Sequence, residues 1–223
     1  MSAPLVSAVM PVYNGEEFLE ASLTSLLDQD YEPLEVVVCN DGSTDRTAEI
    51  LTGFDSIRVV EQDNKGVSAA LNAAIDASTG DFVVMFDSDD LWPSNRVSLQ
   101  VAHFEANPDV GCVLGRQEWM NPPAWLGRDP VYGDLDGIPL VSAMFRRSVL
   151  DEVGGFDESY THSEDMDLLI RIRECGIGIA IIPEVVIHRR FHGGNLIASA
   201  PETSPLLRSL RAKLERERAA SEG

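Results

Sequence analysis

Asp87-Ser88-Asp89-Asp90 follows the apolar run Phe82-Val83-Val84-Met85-Phe86, so a strand-like segment discharges directly into three carboxylates. Aspartate is a poor strand former and is costly to bury without a partner, so carboxylates at the end of a buried run point to a ligand. Hard oxygen donors suit Mg2+ or Mn2+, ions that also neutralise phosphate oxygens, and the pattern suggests a metal-bridged nucleotide. The same residues are good turn and helix N-cap chemistry ahead of Leu91-Trp92-Pro93, and local sequence leaves both readings open. Two more polar clusters follow apolar runs: Pro11-Val12-Tyr13-Asn14 and Asn40-Asp41-Gly42-Ser43. Tyr13 offers a ring for base stacking, Asp41 a carboxylate for a ring nitrogen or hydroxyl, and Asp87 with Asp89 a sugar and metal contact. Neither a Gly-x-Gly-x-x-Gly nor a Gly-x-x-x-x-Gly-Lys-Ser/Thr loop is present, which argues against a nicotinamide dinucleotide or a phosphate-loop site. Without a glycine loop to hold a diphosphate, a metal must carry more of its charge.

The elements that position these clusters are read from periodicity. Up to Phe86, short β-branched runs alternate with longer amphipathic ones, the pattern of βαβ units on a buried, largely parallel sheet. Strands are expected at 6–12, 34–39, 57–61 and 81–86, with helices at 19–29, 46–53 and 67–77 between them. Loops leaving the carboxyl ends of parallel strands converge, so the three polar clusters should share one rim. Farther on, 96–106 and 164–174 read as helices, and 110–114, 140–145 and 177–187 as strands. Residues 117–138, with Trp119, Trp125, Tyr132 and several prolines, read as an irregular loop, and 154–157 as a turn. The fold class is therefore α/β: one Rossmann-like domain with a mixed, mostly parallel sheet flanked by helices.

Composition narrows the partners. Thirty-seven Asp and Glu against 17 Lys and Arg leave a net charge of -20, which argues against binding nucleic acid. No apolar run approaches the roughly 20 residues a spanning helix needs, and Met1-Ser2-Ala3-Pro4 carries no basic leader, so a soluble, cytoplasmic protein is expected. Cys39, Cys112 and Cys175 are far apart and odd in number, as reduced structural thiols would be. In the tail, Leu206, Leu207, Leu210 and Leu214 form one helical face, with Arg208, Arg211, Lys213, Arg216 and Arg218 around it. This amphipathic basic helix is expected to pack on its own domain, with dimerisation or peripheral membrane contact as the alternatives.

Residues 6–14 with 19–29, then 35–45, then Asn64-Lys65-Gly66-Val67-Ser68-Ala69-Ala70-Leu71-Asn72, follow one another as they do in family 2 glycosyltransferases, which the chain resembles over about residues 5–196. Asp87-Ser88-Asp89 matches the family's Asp-x-Asp motif. Gly154-Gly155-Phe156-Asp157-Glu158 matches its acceptor-side turn, and Glu164-Asp165-Met166-Asp167-Leu168 its acidic helix start. The resemblance implies an A-type nucleotide-sugar-binding fold over 1–200, with a nucleotide half at about 1–90, an acceptor half at about 91–200, and a tail at 201–223. It further implies that Pro11, Tyr13 and Asp41 line the nucleoside pocket beside Glu16. Asp87 with Ser88 would face the ribose or donor sugar, and Asp89 with His192 would hold Mn2+ or Mg2+. Asp165 would be the general base, with Glu164 next to it and Trp125 also on the acceptor side. Leu71 departs from the arginine often found at its place, and Lys65 is expected to replace part of that charge.

The activity so implied is metal-dependent, inverting transfer from a nucleoside-diphosphate sugar, a uridine diphosphate sugar first, to an acceptor hydroxyl. The acceptor could be a saccharide, a lipid-linked sugar, a small metabolite or a peptide. Two rivals stand beside it: a sugar-phosphate nucleotidyltransferase, which would release pyrophosphate, and a non-catalytic nucleotide-sugar-binding module, which would release no nucleoside diphosphate when acceptor is added.

Overall fold

Val6–Val12 (β1) is buried along nearly its whole length because β-branched and small apolar residues point to both faces, as a central parallel strand requires. It pairs in parallel with Leu34–Asn40 (β2) and with Phe82–Met85 (β4), and β2 pairs in parallel with Ile57–Glu61 (β3). The crossovers are the helices Leu19–Leu27 (α1), Thr47–Leu51 (α2) and Val67–Asp76 (α3). The chain is described here from a computed structural model covering residues 3–120, 140–160, 164–190 and 192. Trp125, Tyr132 and the basic tail lie outside the described residues.

Arg96–Ala106 (α4) leads into Val110–Met120 (β5), Met144–Arg146 (β6), Arg147–Val153 (α5), Glu164–Glu174 (α6) and Gly178–Arg190 (β7). The sheet has the order β3-β2-β1-β4-β6-β5-β7. Short β6 runs antiparallel to both β4 and β5, which makes the sheet mixed, whereas β5 and β7 are parallel. Side-chain alternation along β1 and β4 divides the core into two layers. Met10 and Val84 pack with α1 and α4 on one face, and Val9 and Val83 pack with α3 and α6 on the other.

The second half departs from the sequence expectation in three places. In the run at 140–145 only Met144 and Phe145 are strand, as the start of β6, and Leu140–Ser142 is a single 3-10 turn. Its carbonyls are taken by buried side chains instead of a ladder: Arg96 Nη2 donates to Val141 O at 2.8 Å and Gln100 Nε2 to Ser142 O at 2.9 Å. Helix α5 is not foreseen, although Gly154 closes it with φ 88, the left-handed C-terminal stop that glycine adopts without steric cost. Strand β5 runs on to Met120, so Gln117 and Trp119 belong to the sheet and not to the loop.

Register determines where the polar clusters emerge. Val12 stands opposite Asn40, and Asp41 N donates to Val12 O at 2.9 Å. On the other side of β1, Val9 stands opposite Met85, and Phe86 N donates to Val9 O at 3.0 Å. Tyr13, Asp41 and Asp87 therefore leave neighbouring strands at one rim.

Candidate active site

The first two clusters are laced together by backbone hydrogen bonds. Asn14, in the left-handed region at φ 51, donates its N–H to Ser43 Oγ at 2.9 Å and accepts from Thr44 N at 2.8 Å through Oδ1. Tyr13 is left 51 % exposed at the cavity wall. Asp41 is nearly buried, and three donors satisfy it: Gln62 Nε2 at 2.6 Å and Lys65 N at 2.8 Å on Oδ1, and Gly66 N at 2.9 Å on Oδ2. Such donors satisfy the polar atoms of a buried side chain and fix its rotamer. Glu16 turns elsewhere, accepting from Arg46 N at 3.1 Å, and it is Glu17 that lines the cavity.

Asp87, Asp89 and Asp90 bring one carboxylate oxygen each within 4.8 Å of one another. Their roles divide by burial. Asp90 is fully buried and caps no helix, because α4 starts after Asn95 with no side-chain cap. Its Oδ1 accepts from Arg190 N at 2.9 Å, and its Oδ2 lies 3.4 Å from Arg189 Nε, so it fastens the acidic loop to the end of β7. A backbone bridge between Leu91 and His188 adds to that clasp. Arg190 is also held there, with Nε donating to Asp89 O at 2.9 Å and its guanidinium 4.9 Å from the Phe18 ring. The clasp delivers His192, whose Nε2 lies 2.9 Å from Asp89 Oδ2. Two carboxylates and an imidazole open to one cavity form a donor set that suits Mn2+ or Mg2+.

Electrostatics mark the same place. Burial, reinforced by Asp89 and Asp90, raises the Asp87 carboxyl above the ordinary aspartate range, with Arg189 acting against the rise. Burial and Asp89 raise Asp90 likewise. Beneath them lies fully buried Arg96, 4.1 Å over the Trp92 ring, with Nη2 on the carbonyls of Met85 and Val141.

A cavity of about 770 Å³ opens above the rim. Pro11, Tyr13, Asp41, Lys65, Asp87, Ser88, Asp89 and His192 all border it, as do Glu158 of the expected acceptor-side turn and Phe18, Tyr160 and Arg189, which the sequence reading did not single out. The turn carrying Glu158 and Tyr160 is fastened to α3 by Asn72, whose Nδ2 donates to Phe156 O at 2.9 Å and whose Oδ1 accepts from Phe156 N at 2.9 Å. Leu71 is buried in the apolar layer with Val37 and Leu168 and contributes nothing to the cavity. Glu164 and Asp165 open α6, and burial raises both carboxyls. The charge of Arg189 reaches Asp165, and that of Glu164 reaches Asp87. The signal that could have marked Arg189 and Arg190 is a basic pair ending an apolar strand just before His192.

The glycosyl transferase family 2 model matches residues 7–154. The UDP-Glc:alpha-D-GlcNAc-diphosphoundecaprenol beta-1,3-glucosyltransferase WfgD of Escherichia coli is 31% identical over 179 residues, covering 75% of this chain and 69% of that protein. The chondroitin synthase of Pasteurella multocida is 28% identical over 204 residues, covering 86% of this chain but only 21% of the synthase, so the chain spans about a fifth of that relative's length. Among solved structures, Staphylococcus aureus TarS 1-349 in complex with UDP-GlcNAc superposes with a TM-score of 0.73 at 20% identity, over 88% of this chain and 61% of that one. The mannosyltransferase PcManGT of Pyrobaculum calidifontis, in complex with GDP-Man and Mn2+, superposes with a TM-score of 0.67 at 26% identity, over 84% and 57%. An A-type sheet, an acidic cluster at its carboxyl rim and a family match over more than half the length agree: the chain belongs to glycosyl transferase family 2.

Proposed function

We propose that the chain transfers a sugar from a nucleoside-diphosphate sugar to an acceptor hydroxyl in a metal-dependent single displacement with inversion. The observation that carries this reading is the convergence of Asp87, Asp89 and His192 on one cavity that Tyr13 and Asp41 also border. That set of residues suits a nucleoside at Tyr13, Asp41, Pro11 and Lys65, and a diphosphate with its sugar at Asp87, Ser88 and Asp89. Mn2+ or Mg2+, held by Asp89 and His192, would neutralise charge on the departing diphosphate. A uridine diphosphate sugar is the proposed donor, supported by the UDP-Glc in the name of the E. coli relative and by the UDP-GlcNAc bound to TarS.

Asp165 is assigned as the base that takes the proton of the attacking hydroxyl. Burial raises its pKa and makes it a stronger base than an ordinary aspartate, with the backbone N–H of Met166 and the charge of Arg189 acting against the rise. Glu164 and Trp125 are assigned to the acceptor side, with a saccharide, lipid-linked sugar, small metabolite or peptide as acceptor. Residues 1–200 form the catalytic domain in this reading, and the basic tail at 201–223 packs on it, dimerises or touches a membrane. No described helix is long and apolar enough to cross a membrane, and cytoplasmic placement is part of the proposal.

The test is release of UDP from UDP-sugars on adding candidate acceptors, with and without chelator. Release that stops with chelator and returns with Mn2+ or Mg2+ is expected. Pyrophosphate release, or full activity in metal-free buffer, would reject the reading.

A further inference from the structure

Arg189 and Arg190 are adjacent on β7, so strand alternation sends their side chains to opposite sides. Arg190 is consumed by the fold, through Asp89 O at 2.9 Å and the face of Phe18 at 4.9 Å. Arg189 is not. It borders the cavity, yet its side chain is only 13 % exposed, and its contacts are long: Nε to Asp90 Oδ2 at 3.4 Å and Nη2 to Asp87 Oδ2 at 3.9 Å. Arg189 Nε and Asp90 Oδ2 are both buried without a hydrogen bond, so the ion pair leaves donor capacity unused in a place where that is costly. The guanidinium lies 5.1 Å from the Trp119 ring, which limits where it can turn.

Charge balance says what that capacity is for. Glu17, Asp41, Asp87, Asp89 and Glu158 border the cavity, against the fixed cations Lys65 and Arg189. One divalent ion on two carboxylates is already neutralised by them, so a diphosphate entering beside it needs a further cation. Lys65 stands at the Asp41 end, where its own N–H binds that carboxylate, whereas Arg189 stands against Asp87 and Asp90. A guanidinium presents a planar fork that matches phosphate oxygens.

We infer that Arg189 binds the terminal phosphate of the donor's diphosphate, turning from its loose contacts with Asp87 and Asp90 onto the leaving group, while Arg190 remains a structural clasp. This rests on the nucleotide-sugar reading above and adds to it a binding residue that distinguishes a diphosphate from a monophosphate. Removing Arg189 also removes positive charge next to the acidic cluster, so affinity for the metal alone should hold or rise.

The test is calorimetric titration of the full chain with UDP, GDP and UMP in the presence of Mn2+, and with Mn2+ alone, for wild type, Arg189→Met and Arg189→Lys. Arg189→Met is expected to weaken UDP by about 10- to 100-fold, the range of a lost charge-assisted hydrogen-bond pair, with UMP changed by less than about twofold. Arg189→Lys should fall between them and serves as the test variant if Arg189→Met does not fold. Equal losses for UDP and UMP would assign Arg189 to holding Asp90 and overturn the inference, as would unchanged UDP affinity. Wild-type protein that binds neither UDP nor GDP would overturn the donor reading itself, and this inference with it.

Discussion

At the amino end of the sheet a cavity of about 580 Å³ is bordered by Asp81, Arg146 and Arg147, and at the carboxyl end the larger cavity is bordered by Asp87, Asp89 and Arg189. Both ends are rich in charge, but the charges are used differently. Arg146 donates to the carbonyls of Val110 at 2.8 Å and Phe104 at 3.0 Å, and Arg147 donates to Ser78 Oγ at 2.7 Å and to the carbonyl of Gly80. Asp81 accepts from Leu5 N at 2.9 Å, and Glu35 gathers Ser7 Oγ, Thr79 and Gly80 N. Burial alone would raise Glu35, yet those hydrogen bonds hold its carboxyl below the ordinary glutamate value. At the opposite rim burial wins, and Asp87, Asp90, Glu164 and Asp165 are all raised. Polar groups at the amino end are satisfied by the fold itself. At the carboxyl end Asp41 is satisfied in the same way, but Asp87 and Asp90 are held at a cost that a ligand can relieve, and this marks the site where the bare presence of charge would not.

The largest effect that would sharpen this contrast is expected from Asp165→Asn. Transfer should fall by about 10²- to 10⁴-fold, the usual contribution of a general base, while UDP affinity stays at the wild-type level. Wild-type turnover in that variant, measured as UDP release, would remove Asp165 from the chemistry.

Arg147→Ala probes the other end. It removes the side-chain donor to the Gly80 carbonyl and the contact with Ser78 Oγ, for a loss of about 1–3 kcal/mol and a fall in Tm of roughly 2–12 °C. Turnover per folded molecule should not change, and a specific loss of activity in assays well below Tm would show that the amino-end cavity takes part in function.

The smallest effects are in pH. Asp165 must be ionised to accept a proton, and its folded pKa is raised above 3.8, so transfer should decline on acidification at a higher pH than an ordinary aspartate would cause. Glu35 behaves in the opposite sense. Its folded pKa is lowered, so its stabilisation is fully present above the unfolded value near 4.5 and is lost as pH falls through the folded one. The Tm gap between wild type and Glu35→Gln should therefore be constant at neutral pH and shrink only below about 4.5. A gap that widened on acidification would reverse the assignment.

Much of the parallel half was legible because its signals are local. Val36, Val37 and Val38 read as a buried strand wherever they sit, and Leu19, Leu23 and Leu26 repeat at helical spacing and are all buried. Strand ends then located Tyr13, Asp41 and Asp87 on one rim. Glu16 and Glu17 could not be told apart, since which of two neighbours faces the cavity depends on Arg46 N, thirty residues away. The 140–145 run misled because apolar composition marks burial, not a ladder. Met144 and Phe145 do join the sheet, but the carbonyls of Val141 and Ser142 found Arg96 and Gln100 in place of strand partners.

The sequence by itself determined the α/β class, the order of the first seven elements and the chemical character of the rim, because periodicity and residue type act over a few positions. Tertiary structure alone decided how Asp90, Arg189 and Arg190 are used, and it set His192 against Asp89. Asp90 meets Arg190 across 100 positions and Asp89 meets His192 across 103, and no local pattern encodes such a pairing. The acidic motif supplies the carboxylates, and the end of β7, brought to it by the sheet, decides which is locked and which remain open to the cavity.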